Sequence, residues 1–442
     1  MNTPILDFVR RYAEADTARL HMPGHKGKGV FGLARYDITE IAGADALYEA
    51  DGIIRESEEN ASRIFSAHSF YTTEGSSHAI RAMLTLALRE AKRKGQPARI
   101  AAARNLHKSA LTAAALLDLD ICFVGESSES YLACRLSPDT LEDELRRASV
   151  AALYLTSPDY LGNLQDIATA AEICHRLGIL LLVDNAHGAY LHFLAQPAHP
   201  IDLGADICCD SAHKTLPALT GAAYLHIART APAALAEEAK EALALYASTS
   251  PSYLTLASLD ALNPYLAEEY PAALAACCAR VRDMKAQLAT HGYTFIGDEA
   301  MKITLAPKPY GYRGEELAAL LRQSGTEPEF ADPDYLVLMP SPQNSEAELA
   351  RALAALLALP RRAPITEAPP RVSAAPRKMS VRKAVFAPHE CIPVAKSEGR
   401  TLASLTFSCP PAVPVLVAGE EITPEAVAAF NYYGIREVVV IK

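Results

Sequence analysis

Between residues 69 and 227 the chain alternates short apolar segments with longer stretches of helical periodicity, the pattern of strands joined by crossover helices in an α/β sheet. Seven strands are predicted: Ser69–Thr72, Arg99–Ala103, Asp120–Val124, Ala151–Thr156, Ile179–Asp184, Asp206–Asp210 and Ala222–Ile227. Several are apolar almost throughout, as strands covered on both faces are. Ser77–Lys94 and Asn163–Leu177 read as helices between them. From residue 266 to 358 the alternation restarts on a smaller scale, with strands at Lys302–Ala306 and Tyr335–Met339 and helices at Gly314–Gln323 and Ser345–Ala358. Pro360–Pro376 then carries five prolines without periodicity and reads as an extended connector. A last unit, Lys383–Lys442, starts a helix near Thr423-Pro424-Glu425, where Thr caps and Pro opens the first turn, and ends in the strand-like VVVIK.

With 442 residues, half of them hydrophobic and 21% charged, the chain is long enough for two or three domains and too apolar to be disordered. Its 42 Lys and Arg against 52 Asp and Glu give a net charge of −10, so no global field favours nucleic acid or an anionic membrane surface. The nine cysteines, an odd number, include no C-x-x-C pair; reduced thiols are expected, and no metal site. The first residues, MNTPILDFVRRYAEAD, lack the apolar core of a signal peptide, and no apolar run reaches the length of a spanning helix. A cytoplasmic location is the expectation.

Ligands of open α/β sheets gather at the carboxyl ends of the strands, and three polar segments stand there. Asp210-Ser211-Ala212-His213-Lys214-Thr215 follows a predicted strand; a lysine partly desolvated at such a place is a candidate Schiff-base nucleophile, although an exposed loop lysine fits the segment equally. LLLVDNAHG delivers Asp184 from an apolar strand, where a carboxylate can pair with a pyridinium nitrogen or cap the next helix. Thr72-Thr73-Glu74-Gly75-Ser76-Ser77-His78 joins a strand to a helical run, and its small residues could close on a phosphate or serve as an ordinary helix cap. After another strand, His107 could stack on an aromatic cofactor ring or lie on the surface.

In this order the segments resemble the Orn/Lys/Arg decarboxylase family of fold-type-I pyridoxal phosphate enzymes, in its short bacterial form. HMPGHKG at residues 21–27 and SAHKTLPALTG at residues 211–221 carry the likeness most specifically, with ARNLHKS, TSPDYLGN, LLVDNAHGA and the segments starting at Ser248, Pro328 and Pro410 extending it nearly end to end. The resemblance implies an aspartate aminotransferase-like large domain with a mostly parallel seven-stranded sheet, a small α/β domain and a C-terminal α+β unit. The expected boundaries are 1–50 for an arm, 51–265 for the pyridoxal phosphate domain, 266–358 for the small domain, 359–383 for the linker and 384–442 for the last domain.

The resemblance also implies roles. Lys214 would carry pyridoxal 5′-phosphate as a Schiff base, Asp184 would bind its ring nitrogen, and His107 would stack on the ring with Ala186 on the other face and His187 close by. Gly75, Ser76, Ser77, Ser211 and His213 would hold the phosphate, with Thr249 or Ser250 lent by a neighbouring subunit, so a homodimer or higher assembly with shared sites is implied. The reaction would be decarboxylation of arginine, lysine or ornithine to agmatine or a diamine, chemistry belonging to polyamine biosynthesis. An acidic residue should meet the distal cation of the substrate, and Glu40, Asp45 and Glu329 are the candidates.

Three departures from the family pattern stand out. Glu74 occupies the place of an asparagine before the phosphate-loop glycine, Asn185 that of a glutamate, and Cys409-Pro410-Pro411-Ala412-Val413-Pro414 replaces a tyrosine-bearing motif. They keep two alternatives open: another reaction on the same fold, such as transamination or aldol cleavage, and a degenerate homologue that binds without turnover.

Overall fold

The computed structural model describes the chain apart from residues 16, 31, 128–129, 372–374 and 406–410, so the Cys409-Pro410 pair of the altered motif lies outside the described residues. The chain falls into two compact units, residues 1–97 with 167–273 and residues 98–166 with 274–442. All seven predicted strands form: β1 (Ala67–Thr72), β2 (Arg99–Ala103), β3 (Asp120–Val124), β4 (Ala152–Thr156), β5 (Leu180–Asp184), β6 (Ile207–Asp210) and β7 (Ala223–Ala228). They make up the seven-stranded, mostly parallel α/β sheet.

In the first unit the strand order is β1-β7-β6-β5. Strands β5 and β6 run parallel, whereas β7 is antiparallel to both β6 and β1. Every residue of β5 and of β6 is buried, which explains their unbroken apolar character up to the aspartates that end them. Helices α1 (Pro4–Glu14), α2 (Ile53–Ile64) and α3 (Ser76–Arg93) belong here too. The strand predicted from Ser69 starts two residues earlier, because Ala67 and His68 pair with Ala228 and Ile227 of β7, a partnership that local pattern does not reveal.

The second unit holds β4, β2 and β3 in that order, all parallel. The helix expected from Asn163 begins only at Ile167, where the chain returns to the first unit. Asp159 organises the intervening residues as a loop: its Oδ1 accepts the Leu161 and Asn163 backbone N–H groups, both at 2.9 Å, and its Oδ2 accepts from Asn163 Nδ2 at 2.7 Å. A smaller, wholly antiparallel sheet follows, with β8 (Phe295–Ile296), β9 (Ile303–Leu305), β10 (Phe330–Ala331) and β11 (Leu336–Leu338) in the order β8-β9-β11-β10. The proline-rich stretch carries no helix or strand among its described residues. Beyond it, β12 (His389–Pro393) and β13 (Glu437–Ile441) pair antiparallel and share a core with Leu402, Leu416 and Phe430.

Among the described residues no helix is long and apolar enough to cross a membrane.

Candidate active site

The site grows from the carboxyl ends of two neighbouring buried strands in the first unit. Asp184 closes β5 at 2% exposure; its Oδ1 accepts the Ala186 backbone N–H at 3.2 Å and lies 3.7 Å from the Cys209 thiol. Ala186 and His187, the next residues along, are buried as well. One strand over, β6 ends at Asp210 and the chain passes through Ser211 into the single-turn helix α4 (Ala212–Thr215), which carries Lys214. The Lys214 Nζ donates to His187 Nε2 at 3.1 Å, so the lysine and the residues after Asp184 converge. That contact places the remaining proton of a neutral His187 on Nδ1.

Lys214 itself is exposed, which corrects the expectation that the chain alone would desolvate it. A one-turn helix at the rim of a sheet leaves its long side chains outside, whatever the burial of the strand before it. His213 behaves differently. Its Nδ1 donates to the Ala222 carbonyl at 2.9 Å, and burial is the main influence pulling the imidazole below its usual range, with the Lys214 ammonium adding to it.

The predicted phosphate loop lies in the same unit. Gly75 takes φ +73° and caps the 18-residue helix α3, and a Cβ built on it would meet nothing within 4 Å, so the helix N-terminus faces open space. Its backbone N–H donates to the Gly221 carbonyl at 2.8 Å. Ser211 donates its Oγ–H to Ser76 Oγ at 2.8 Å, bringing a hydroxyl from the lysine loop to the helix start; Ser77 follows in the first turn. Gly221 is required here: at φ +95°, a Cβ would stand 2.6 Å from the Thr73 carbonyl oxygen.

Thr249 and Ser250 are exposed, in a segment whose start is held by Glu74, since Glu74 Oε1 accepts the Ser248 backbone N–H at 2.8 Å. The carboxylate that departs from the family pattern is thus engaged with this segment. His107 belongs to the second unit. It caps the helix Lys108–Leu117, its Nδ1 accepting the Ser109 backbone N–H at 3.2 Å and lying 2.8 Å from Ser109 Oγ. Of the acidic candidates for a distal cation, Asp45 is committed to the start of α2, accepting N–H groups of Ala46, Gly52 and Ile54 at 2.8 to 2.9 Å. Glu40 bonds to Thr39, and Glu329, in the second unit, accepts from the Tyr160 hydroxyl at 3.0 Å.

Two groups escaped the sequence reading. His78 fastens the start of α3, with Nδ1 2.6 Å from Thr72 Oγ1 and Nε2 2.7 Å from the Leu243 carbonyl. Asp210, fully buried beneath the lysine loop, accepts from Asn185 Nδ2 at 2.7 Å and faces His199 Nε2 at 3.0 Å and His226 Nε2 at 3.3 Å. Burial pushes its carboxyl up, but the two histidines outweigh this and hold it well below the usual carboxylate range. An aspartate directly before the lysine segment was visible; its histidine partners come from distant positions that only the sheet brings together.

The fold is that of amino acid decarboxylases: the chain superposes on the crystal structure of the Francisella novicida lysine decarboxylase LdcF with a TM-score of 0.82 at 16% identity, covering 100% of this chain and 81% of that one. The chain belongs to the Orn/Lys/Arg decarboxylase family, whose major-domain model matches residues 3–296 and whose C-terminal-domain model matches residues 363–439. It is 28% identical over 462 residues to an arginine decarboxylase of Halalkalibacterium halodurans, spanning 96% of this chain and 92% of that protein. It is also 28% identical over 467 residues to the uncharacterized protein YaaO of Bacillus subtilis, spanning 97% and 93%.

Proposed function

We propose that this protein decarboxylates a basic amino acid, arginine, lysine or ornithine, to agmatine or the corresponding diamine and CO2, with pyridoxal 5′-phosphate as cofactor. The observation that carries the proposal is the 3.1 Å contact of Lys214 Nζ with His187 Nε2, one turn beyond the buried strand end that presents Asp184. The donor set fits the cofactor. An open helix N-terminus at Gly75, two hydroxyls at Ser76 and Ser211, a buried carboxylate and a primary amine are what a phosphate, a pyridine nitrogen and an aldehyde require.

Lys214 would hold the aldehyde carbon, Asp184 the ring nitrogen, and Gly75, Ser76, Ser77, Ser211 and His213 the phosphate. His107 and Ala186 would flank the ring. When bound, the cofactor supplies the electron sink that makes loss of the α-carboxylate feasible. The chain's own residues set the proton positions. Asp184, whose Oδ1 accepts the Ala186 backbone N–H, would hold a proton at the ring nitrogen, and His187 Nε2 would take a proton from Lys214 Nζ so that the amine becomes nucleophilic.

An exposed Lys214 and an exposed Thr249-Ser250 segment support the reading that a second copy of the chain completes each site, as homologous residues lent between subunits would require. The engagement of Glu74 with Ser248 argues against the degenerate reading, because this carboxylate already has a backbone partner. The test is to supply the protein with pyridoxal phosphate and each of the three amino acids, and to identify the product amine. Turnover of one of them is expected; activity on none, with cofactor bound, would overturn the substrate assignment and leave the cofactor assignment standing.

A further inference from the structure

Beneath the lysine loop, three side chains of zinc-ligand type, those of His199, Cys208 and Asp210, converge in a place that the decarboxylase chemistry does not use, and His226 stands beside Asp210. Cys208 and Asp210 stand two residues apart on β6 and therefore on one face of the sheet. His226 on β7 is the register partner of Cys208, which puts it across from the thiol, and His199 reaches the same spot from the loop before β6. All four residues have 0% exposure. The donor atoms of His199, Cys208 and Asp210 lie within 4.8 Å of one another. His226 Nε2, 3.3 Å from Asp210 Oδ2, has no hydrogen-bond partner despite its complete burial.

We infer that His199 Nε2, Cys208 Sγ and Asp210 Oδ2 form a structural site for a tetrahedral transition-metal ion of the zinc type, with His226 Nε2, beside Asp210, drawn in as the fourth donor. Bond lengths of about 2.0 Å to N or O and about 2.3 Å to S place tetrahedral donors about 3.3 Å apart for N and O and about 3.5 Å apart for N and S. The separations found are 3.0 and 3.3 Å from Asp210 Oδ2 to the two imidazoles and 3.9 Å from Cys208 Sγ to His199 Nε2. The groups behind the donors suit such a site as well. Asn185 Nδ2 donates to the other oxygen of Asp210 at 2.7 Å, and Ser69 Oγ lies 2.8 Å from His226 Nδ1, which turns Nε2 toward the cluster.

Charge favours the ion. A divalent metal with one thiolate, one carboxylate and two neutral imidazoles is a neutral unit, suited to a dry interior. Binding releases the thiol proton to solvent, a proton standing on either Nε2 passes to Nδ1 of the same ring so that both imidazoles stay neutral, and no electron is transferred. Without an ion, His199 can donate Nε2–H to Asp210 while its Nδ1 accepts the Ile201 backbone N–H at 3.3 Å. That arrangement leaves His226 Nε2 unpaired. Metal binding exchanges the long Ile201 contact for four strong bonds. The expectation of no metal site rested on cysteine spacing, whereas this set is assembled by strand pairing over residues 199 to 226.

The test is elemental analysis of the purified full chain after extensive dialysis, followed by the absorption spectrum of the cobalt-substituted protein. One zinc per chain is expected, falling at least tenfold in His226→Ala and Cys208→Ala, with a cobalt spectrum showing tetrahedral d–d bands and a thiolate charge-transfer band. Should these variants not fold, the wild-type cobalt spectrum decides. A protein purified from zinc-supplemented medium with less than a tenth of an equivalent, metal retained in both variants, or a cobalt spectrum lacking the thiolate band would each overturn the inference.

Discussion

At Asp184 one oxygen separates two predicted behaviours. Asp184→Asn keeps the size and the Ala186 contact but cannot hold a proton on a pyridine nitrogen, so cofactor should still bind while turnover falls by a factor on the order of 100 or more. Steady-state rates beside a cofactor titration check this; a near-normal rate contradicts the role. Gly221 offers a second residue-scale prediction. Gly221→Ala places a methyl against the Thr73 carbonyl at a backbone conformation that alanine resists, so the chain should lose about 1–3 kcal/mol in urea unfolding and bind cofactor more weakly. Unchanged stability and affinity would mean that the loop yields freely. At this scale much was legible, because Lys214, Asp184 and Gly75 announce themselves as polar or small residues at the ends of apolar strands. Asp210 with His199 and His226 was not, since its partners are separated along the chain and meet only through the register of β6 and β7.

Elements follow from the same logic. The unbroken apolar runs of β5 and β6 predicted buried parallel strands, and both are buried throughout. The helix start falls later than the pattern predicts because the Asp159 carboxylate takes the Leu161 and Asn163 backbone N–H groups and Ser157 Oγ takes that of Gln165, bonds that local periodicity does not reveal. The N-terminal helix α1 is tied down by another carboxylate. Asp260 Oδ2 accepts the Leu6 backbone N–H at 2.9 Å, and Oδ1 accepts from Ser57 at 2.5 Å. Burial raises the Asp260 carboxyl from its ordinary 3.8 to about 6. The folded chain therefore binds this proton more tightly than the unfolded chain does. Its contribution favours folding below pH 4 and is lost as pH rises through about 6. Asp260→Asn should flatten the fall in stability across that window by about 1–3 kcal/mol, read from urea unfolding at several pH values; parallel curves for variant and wild type would contradict it.

The whole molecule poses the question of how many chains make a site. The exposure of Lys214 and of the Thr249-Ser250 segment motivates a complementation experiment. Lys214→Ala protein and the Thr249→Ala/Ser250→Ala double variant, each inactive or nearly so, should regain about a quarter of wild-type activity after subunit exchange, because half the dimers are mixed and each mixed dimer has one intact site. Activity that stays at the sum of the parents would confine each site to one chain. The family was legible in the sequence partly because motifs such as LLVDNAHGA and SAHKTLPALTG sit at strand ends where chemistry constrains them. A pairing of chains would leave no local pattern to read.

In the proposed reaction the α-carboxylate of a basic amino acid leaves as CO2 and is replaced by a proton. Running the reaction in D2O with arginine, lysine and ornithine in turn, and analysing the product by mass spectrometry alongside CO2, tests it most directly. For one of the three, equimolar CO2 and an amine carrying a single deuterium on the former α-carbon are expected, and neither with Lys214→Ala. An α-keto acid without CO2, or product formed equally by Lys214→Ala, would contradict it.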